Sequence, residues 1–167
     1  MHGVPTSDPF TAERHDHRHC VRDAVSRAQD LCERRGARLT PLREHVLELV
    51  WCSHAPIGAY QLLERLADTR GRVAPPTIYR ALDFLSREGL IHRIDSLNAY
   101  VGCPQPGRPH ANHFFICHDC GEAAEIRDDE LSSAVARCVE RAQFRVEAAT
   151  VEISGLCARC AARPDNG

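Results

Sequence analysis

The sequence predicts an α+β protein in which an N-terminal winged helix is followed by a small α/β domain closed by a four-cysteine structural zinc site. Three observations predict it. Four helical stretches with their own start and stop signals lead up to Gly89. The pattern then switches to two strand-like runs around a turn. Beyond a Pro- and Gly-containing break, two Cys-x-x-Cys pairs, Cys117 with Cys120 and Cys157 with Cys160, flank the last part of the chain.

Residues 1–16 lack periodicity and are expected to be a flexible tail. A first helix is predicted over 17–35, with Val21, Val25, Ala28 and Leu31 on one face and Gly36 as its stop. Thr40 followed by Pro41 starts the second: the hydroxyl accepts from a free first-turn amide, and proline there loses no useful donor. Leu42, Val46, Leu49 and Val50 are its inward face, with an end near Ser53. The third spans 59–69 on Leu62, Leu63 and Leu66, and the fourth runs from Pro75 to Gly89 on Ile78, Leu82 and Leu85, leaving Thr77, Arg80 and Arg87 outward. Residues 90–94 and 99–103 form the wing hairpin.

The next segment, 104–111, reads as a hinge, and 112–162 as the second domain, with a short tail over 163–167. That domain is expected to run strand 113–117, strand 122–126, helix 128–142 and strand 144–153. The aromatic residues Trp51 and Phe84 are assigned to packing, and Cys32, Cys52 and Cys138 to the core.

Charge favours phosphate at one end. Residues 1–95 carry 14 Arg against 13 acidic residues and residues 96–167 carry 7 Arg against 10, so the first domain is the expected nucleic-acid partner. No apolar run approaches a membrane span or a signal-peptide core, which predicts a cytoplasmic protein with no membrane partner. A reducing compartment in turn favours thiolates and metal over disulfides for the nine cysteines.

Each Cys-x-x-Cys pair supplies two soft ligands from one tight turn, so the two pairs complete a tetrahedral zinc site. Four protein thiolates leave no open position for water or substrate. The metal is therefore structural, and the competing reading, a redox-active pair, predicts that one pair cycles between thiol and disulfide. No open three-ligand zinc site with a nearby general base and no Gly-rich phosphate loop is present, which argues against a hydrolase and against a small-molecule substrate.

Thr40-Pro41, the segment 76–82, the wing with Tyr100 and the two Cys-x-x-Cys pairs together resemble the ferric uptake regulator superfamily over roughly residues 20–160. Ala59-Tyr60, Pro75-Pro76-Thr77, the segment 81–85 and the placement of Cys103 are most similar to its zinc uptake branch. The resemblance implies a homodimeric repressor that binds palindromic double-stranded operator DNA when zinc is replete, its first domain binding DNA and its second dimerising. It implies base contacts from Arg80 and Tyr60. An exposed Arg near the start of a recognition helix also suits the bidentate guanine contact on its own terms, beside Thr77. Arg38 and Arg43, next to a helix N-terminus, are phosphate candidates.

His92, Cys103, His110 and Glu125 match the family's zinc-sensing ligand set. One thiolate, two imidazoles and a carboxylate suit four-coordinate zinc and suit six-coordinate oxygen-loving ions poorly. The resemblance therefore implies two Zn2+ per chain, one structural and one regulatory, the latter clamping the two domains. Iron and peroxide sensors of the superfamily carry a denser His/Asp run before the first Cys-x-x-Cys than 110–113 does here, and no His follows His118. Left open are an iron- or peroxide-sensing regulator, a constitutive DNA binder, His113 as an extra ligand or a strand-edge residue, and metal capture by His15, His17, His19 and Cys20.

Overall fold

The computed structural model describes residue 10 and residues 17–52, 55–107 and 112–163. These fall into two compact units, one within residues 12–108 and one within 109–167 that also includes Phe10.

The first unit contains α1 (His17–Arg35), α2 (Pro41–Trp51), β1 (Ile57–Gly58), α3 (Ala59–Arg70), α4 (Pro75–Arg87), β2 (Ile91–Ile94) and β3 (Ala99–Gly102). Its helix ends follow local chemistry. Gly36 takes φ +65 after α1, and the amide of Ala37 then closes on the carbonyl of Cys32. Thr40 caps α2 by accepting from the amide of Arg43 at 3.4 Å. Gly89, at φ +70, ends α4 and returns the Leu90 amide to Leu85. On α4 the inward face is Ile78, Ala81, Leu82, Phe84 and Leu85, all buried, and this face joins Val46, Leu47, Val50, Leu62 and Leu66 in one core. Each of Ile78, Leu82 and Leu85 contributes about 1.5–3 kcal/mol by leaving water.

The wing hairpin pairs β2 with β3 antiparallel, Ile91 opposite Gly102 and Ile94 opposite Ala99. Asn98 adopts φ 48 in its turn, and its side chain accepts from Arg93 at 3.1 Å. Two-residue β1 pairs with β3 on the other side, giving the order β1-β3-β2. A strand this short has no alternation to read, so the sequence pattern does not reveal it. Gln61 bonds back to the amide of Gly58 at 3.0 Å, fixing the start of α3.

The second unit contains β4 (Asn112–Cys117), β5 (Ala123–Ile126), α5 (Asp129–Arg141), β6 (Thr150–Gly155) and α6 (Ala158–Ala161), with sheet order β5-β4-β6. β4 runs antiparallel to β5 and parallel to β6. Asp128 caps α5 by accepting from the Leu131 amide at 2.7 Å.

Several expectations need correction. The strand expected from 144 begins at Thr150, because α5 ends in a left-handed turn: Gln143 takes φ 50, its amide bonds to Glu140, and the Phe144 amide bonds back to Val139. Cys52 and Cys138 are exposed, whereas Cys32 is buried as expected. Leu47 joins the α2 core while Leu42 and Leu49 are only partly buried. His113 lies on the central strand, 3% exposed, and is not an edge residue. Phe10, expected in a flexible tail, is buried against Cys117, Ala124, Cys157 and Cys160. His15 of the N-terminal cluster and His110 of the hinge lie outside the described residues, as do residues 1–9, 11–14, 16 and 164–167 of the two tails. Among the described residues, no helix is long and apolar enough to cross a membrane.

Candidate metal centre and nucleic-acid interface

The ligand sulfurs of Cys117, Cys120, Cys157 and Cys160 all lie within 4.8 Å of one another. Cys117 ends β4, and the following turn closes when the Gly121 amide donates to the Cys117 carbonyl at 2.9 Å, with Gly121 at φ +72. Cys157 stands at the start of α6, which brings Cys160 round to the same side. The two turns are joined by their backbones: the Cys157 amide donates to Sγ of Cys117 at 3.4 Å, and the His118 amide to the Gly155 carbonyl at 3.0 Å. Ion pairs between Arg159 and Glu122, and between Arg163 and Asp119, bracket the cluster. These pairs span 37 and 44 residues, so no local pattern in the sequence announces them.

The electrostatics ask for a cation. Amides of Cys120 and Cys157 aimed at its sulfur bring the Cys117 thiol down from 9.0 to about 6. Burial pushes the Cys120 thiol up. Hydrogen bonding to Asp119, then burial, pushes Cys160 up as well. Crowded sulfurs cannot all ionise beside one another unless a positive ion stands among them. A tetrahedral dication with a preference for thiolate meets that demand, so the donor set fits zinc.

A second group of soft donors sits on the wing. His92, on β2, is half-buried, and Cys103, directly after β3, is 2% exposed. A ring nitrogen of His92 and the sulfur of Cys103 lie within 4.8 Å of each other. The Cys103 amide donates to the Leu90 carbonyl at 3.0 Å, extending the hairpin by one bond. Glu125 belongs to the other unit, on β5 opposite Phe114.

The outward face of the first unit carries the nucleic-acid candidates. Thr77 and Arg80 are exposed on the first turns of α4, while Ile78 between them is fully buried. Tyr60, at the start of α3, is 75% exposed, far more than a tyrosine serving as packing would be. Arg38 is exposed. Arg43 is partly buried: its guanidinium lies 3.7 Å above the Phe84 ring and bonds to the Arg38 carbonyl.

In the second unit, the edge strand β6 exposes Ile153, and nearby Phe144, Val146 and Leu156 are also exposed. No residue of α5 is fully buried. A cavity of about 390 Å³ lies beside α5, lined by His113, Ser132, Val135, Val139, Val146 and Ala149 among others.

A winged helix joined in one chain to a closed cysteine cluster that fits zinc defines a metal-binding, DNA-binding regulator. Residues 34–154 match the profile of the Ferric uptake regulator family, and the chain belongs to that family. It is 35% identical over 141 residues to the zinc uptake regulation protein of Escherichia coli, spanning 84% of this chain and 82% of the relative. Among solved structures it is similar to a zinc uptake regulator complexed with zinc and DNA, at 34% identity and TM-score 0.80, covering 84% of this chain and 95% of that one. It is similar also to holo XcZur, at 39% identity and TM-score 0.77, covering 84% and 99%.

Proposed function

We propose that this chain is a zinc-responsive transcriptional repressor that binds palindromic operator DNA as a zinc-loaded homodimer and controls zinc uptake genes. The observation that carries the reading is the meeting of His92 and Cys103 on the wing. A thiol and an imidazole within 4.8 Å of each other on a DNA-reading unit supply half of a four-coordinate zinc set. Similarity to zinc uptake regulators, one of them solved with zinc and DNA, supports it.

In this reading the chain holds two zinc ions. Cys117, Cys120, Cys157 and Cys160 keep the structural one. His92 and Cys103, from residues 17–103, join His110, from the hinge 104–111, and Glu125, from residues 112–162, around the regulatory one. When bound, that ion supplies coordination bonds shared by both domains. The four side chains thereby favour one arrangement of the winged helices, the one that fits two half-sites a helical turn apart. Because DNA favours the same arrangement, zinc and operator raise each other's affinity by an equal factor, typically about 1–3 kcal/mol. With a closed structural site and a four-ligand sensor site, neither metal has a position for substrate, and the chain is not an enzyme.

Arg80 reads a purine edge, with Tyr60 and Thr77 beside it, and Arg38 faces the phosphates, its carbonyl held by Arg43. The dimer forms through the second unit. The outer edge of β6, with no further strand beside it among the described residues and with Ile153 exposed, together with α5, which has no fully buried residue, leaves apolar surface that a second copy covers by two-fold symmetry.

Selection from a random duplex library, with free zinc clamped high in one arm and low in the other, tests the reading. It predicts an inverted repeat enriched only at high zinc. Enrichment in both arms would remove the sensor, and enrichment in neither would remove the repressor.

A further inference from the structure

Trp51, the last residue of α2 and the single tryptophan of the chain, lies against the α-carbon of Gly102. A β-carbon placed at Gly102 would stand 2.2 Å from Cε2 of the indole, 2.4 Å from Nε1 and 2.7 Å from Cδ2. No side chain fits there. Gly102 does not have a positive φ and pairs with Ile91 as an ordinary strand residue. The glycine is therefore required for space and not for conformation.

The indole is not held by a hydrogen bond, since its buried Nε1 has no partner among the described residues. An unsatisfied buried donor costs stability, so the ring stands where packing against β3 puts it. The residue after Gly102 is Cys103. On its other sides this segment is fixed by the Cys103 amide bonded to Leu90 at 3.0 Å and by Arg27 of α1, which donates to the Pro104 carbonyl at 2.8 Å. Those two bonds set its position along and across the sheet, and the indole sets its height above α2.

We infer that Trp51 is a positioning residue for the Cys103 thiolate: by bearing on Gly102 it holds that sulfur beside His92, in place for the sensor ion. This rests on the reading of Cys103 as a zinc ligand. Groups that orient metal ligands without touching the metal typically change metal affinity 10- to 100-fold when removed.

The test uses the full chain with the four-cysteine site loaded, titrating zinc into the second site against a competing chelator. Gly102→Ala and Trp51→Leu each weaken that site about 10- to 100-fold. The double variant Gly102→Ala with Trp51→Leu binds no worse than Gly102→Ala alone, because the smaller side chain relieves the clash the alanine creates. Cobalt in the second site of Trp51→Leu shows a weakened thiolate charge-transfer band, and Trp51→Phe, which keeps a ring against Gly102, restores it. A merely structural tryptophan would lower the unfolding midpoint and leave the band and the affinity unchanged. Wild-type second-site affinity in Trp51→Leu, or additive losses in the double variant, overturns the proposal. Cys103→Ser separates it from the sensor reading: if that variant keeps the second zinc, the reading itself fails, whereas if it loses zinc while Trp51→Leu does not, the positioning role alone fails.

Discussion

The backbone amide of Cys157 donates to Sγ of Cys117 at 3.4 Å, so two turns separated by 40 residues meet at a sulfur that zinc would also bind. The same amide helps hold the Cys117 thiol at about 6 and so keeps a thiolate ready at neutral pH. The buried cluster around these sulfurs consists of Phe10, Cys117, Ala124, Cys157 and Cys160 with Phe115 beside them, and Phe114 and Ile116 of β4 are buried as well, whereas the winged helix has a broad aliphatic core containing none of the four cysteines.

Removing zinc from the reduced protein with a chelator will therefore destabilise residues 112–163 and spare the winged helix. Amide hydrogen exchange is the direct measure. Protection in β4 and β6 falls, protection in α2 and α4 stays, and Cys117→Ser reproduces the pattern without chelator. Equal loss in both units would show that the cysteine cluster is not local in its effect.

The pH dependence of the zinc-free, reduced protein has a definite sign. In the unfolded chain the Cys117 thiol keeps its proton up to about 9, whereas in the fold it gives the proton up above about 6. Stability from this thiolate is complete above 9, declines as pH falls through the interval, and is gone below 6. Cys120 and Cys160, both shifted upward, act oppositely, contributing below 9 and losing that contribution as pH rises beyond it. Urea unfolding of the second unit between pH 6 and 9 will show a rising midpoint in the wild type and a flatter one in Cys117→Ser.

At the end of α5, Gln143 occupies a left-handed position, φ 50, that glycine adopts without strain. Gln143→Gly is expected to stabilise the second unit by about 1 kcal/mol, the order of the left-handed penalty for a residue with a β-carbon. A chemical denaturation midpoint that does not rise would contradict the assigned turn.

That residue also shows where sequence reading stops. Thr40-Pro41, Gly36 and Gly89 were legible because each ends or starts a helix through its own side chain or its lack of one. A glutamine doing a glycine's work at 143 gives no such signal, so the last strand was expected six residues early. The cysteine cluster was legible from spacing, since each turn is a local object. The burial of Phe10, the exposure of Cys138 and the seat of Gly102 on Trp51 depend on what the rest of the fold brings alongside. His92 and Cys103 were recognised through family resemblance, and their closeness comes from hairpin register: His92 faces Val101, two residues before Cys103.

Arg80 is exposed on α4, with no part in the core beneath it. Arg80→Ala should leave the unfolding midpoint within about 0.5 kcal/mol of wild type. It should cost roughly 1–3 kcal/mol of operator affinity and relax preference at one base pair in each half-site. Binding to a panel of singly substituted operators checks this. A uniform loss across the panel would assign Arg80 to phosphate.

In the proposed function the wing senses zinc through Cys103. The most direct measurement is operator binding, followed by fluorescence anisotropy across buffered free zinc, for the wild type and for Cys103→Ser with the four-cysteine site of both kept loaded. The wild type is expected to bind only as free zinc rises, and Cys103→Ser to fail to bind over the same range. Wild-type binding that ignores zinc, or a Cys103→Ser curve that overlays the wild type, would contradict it.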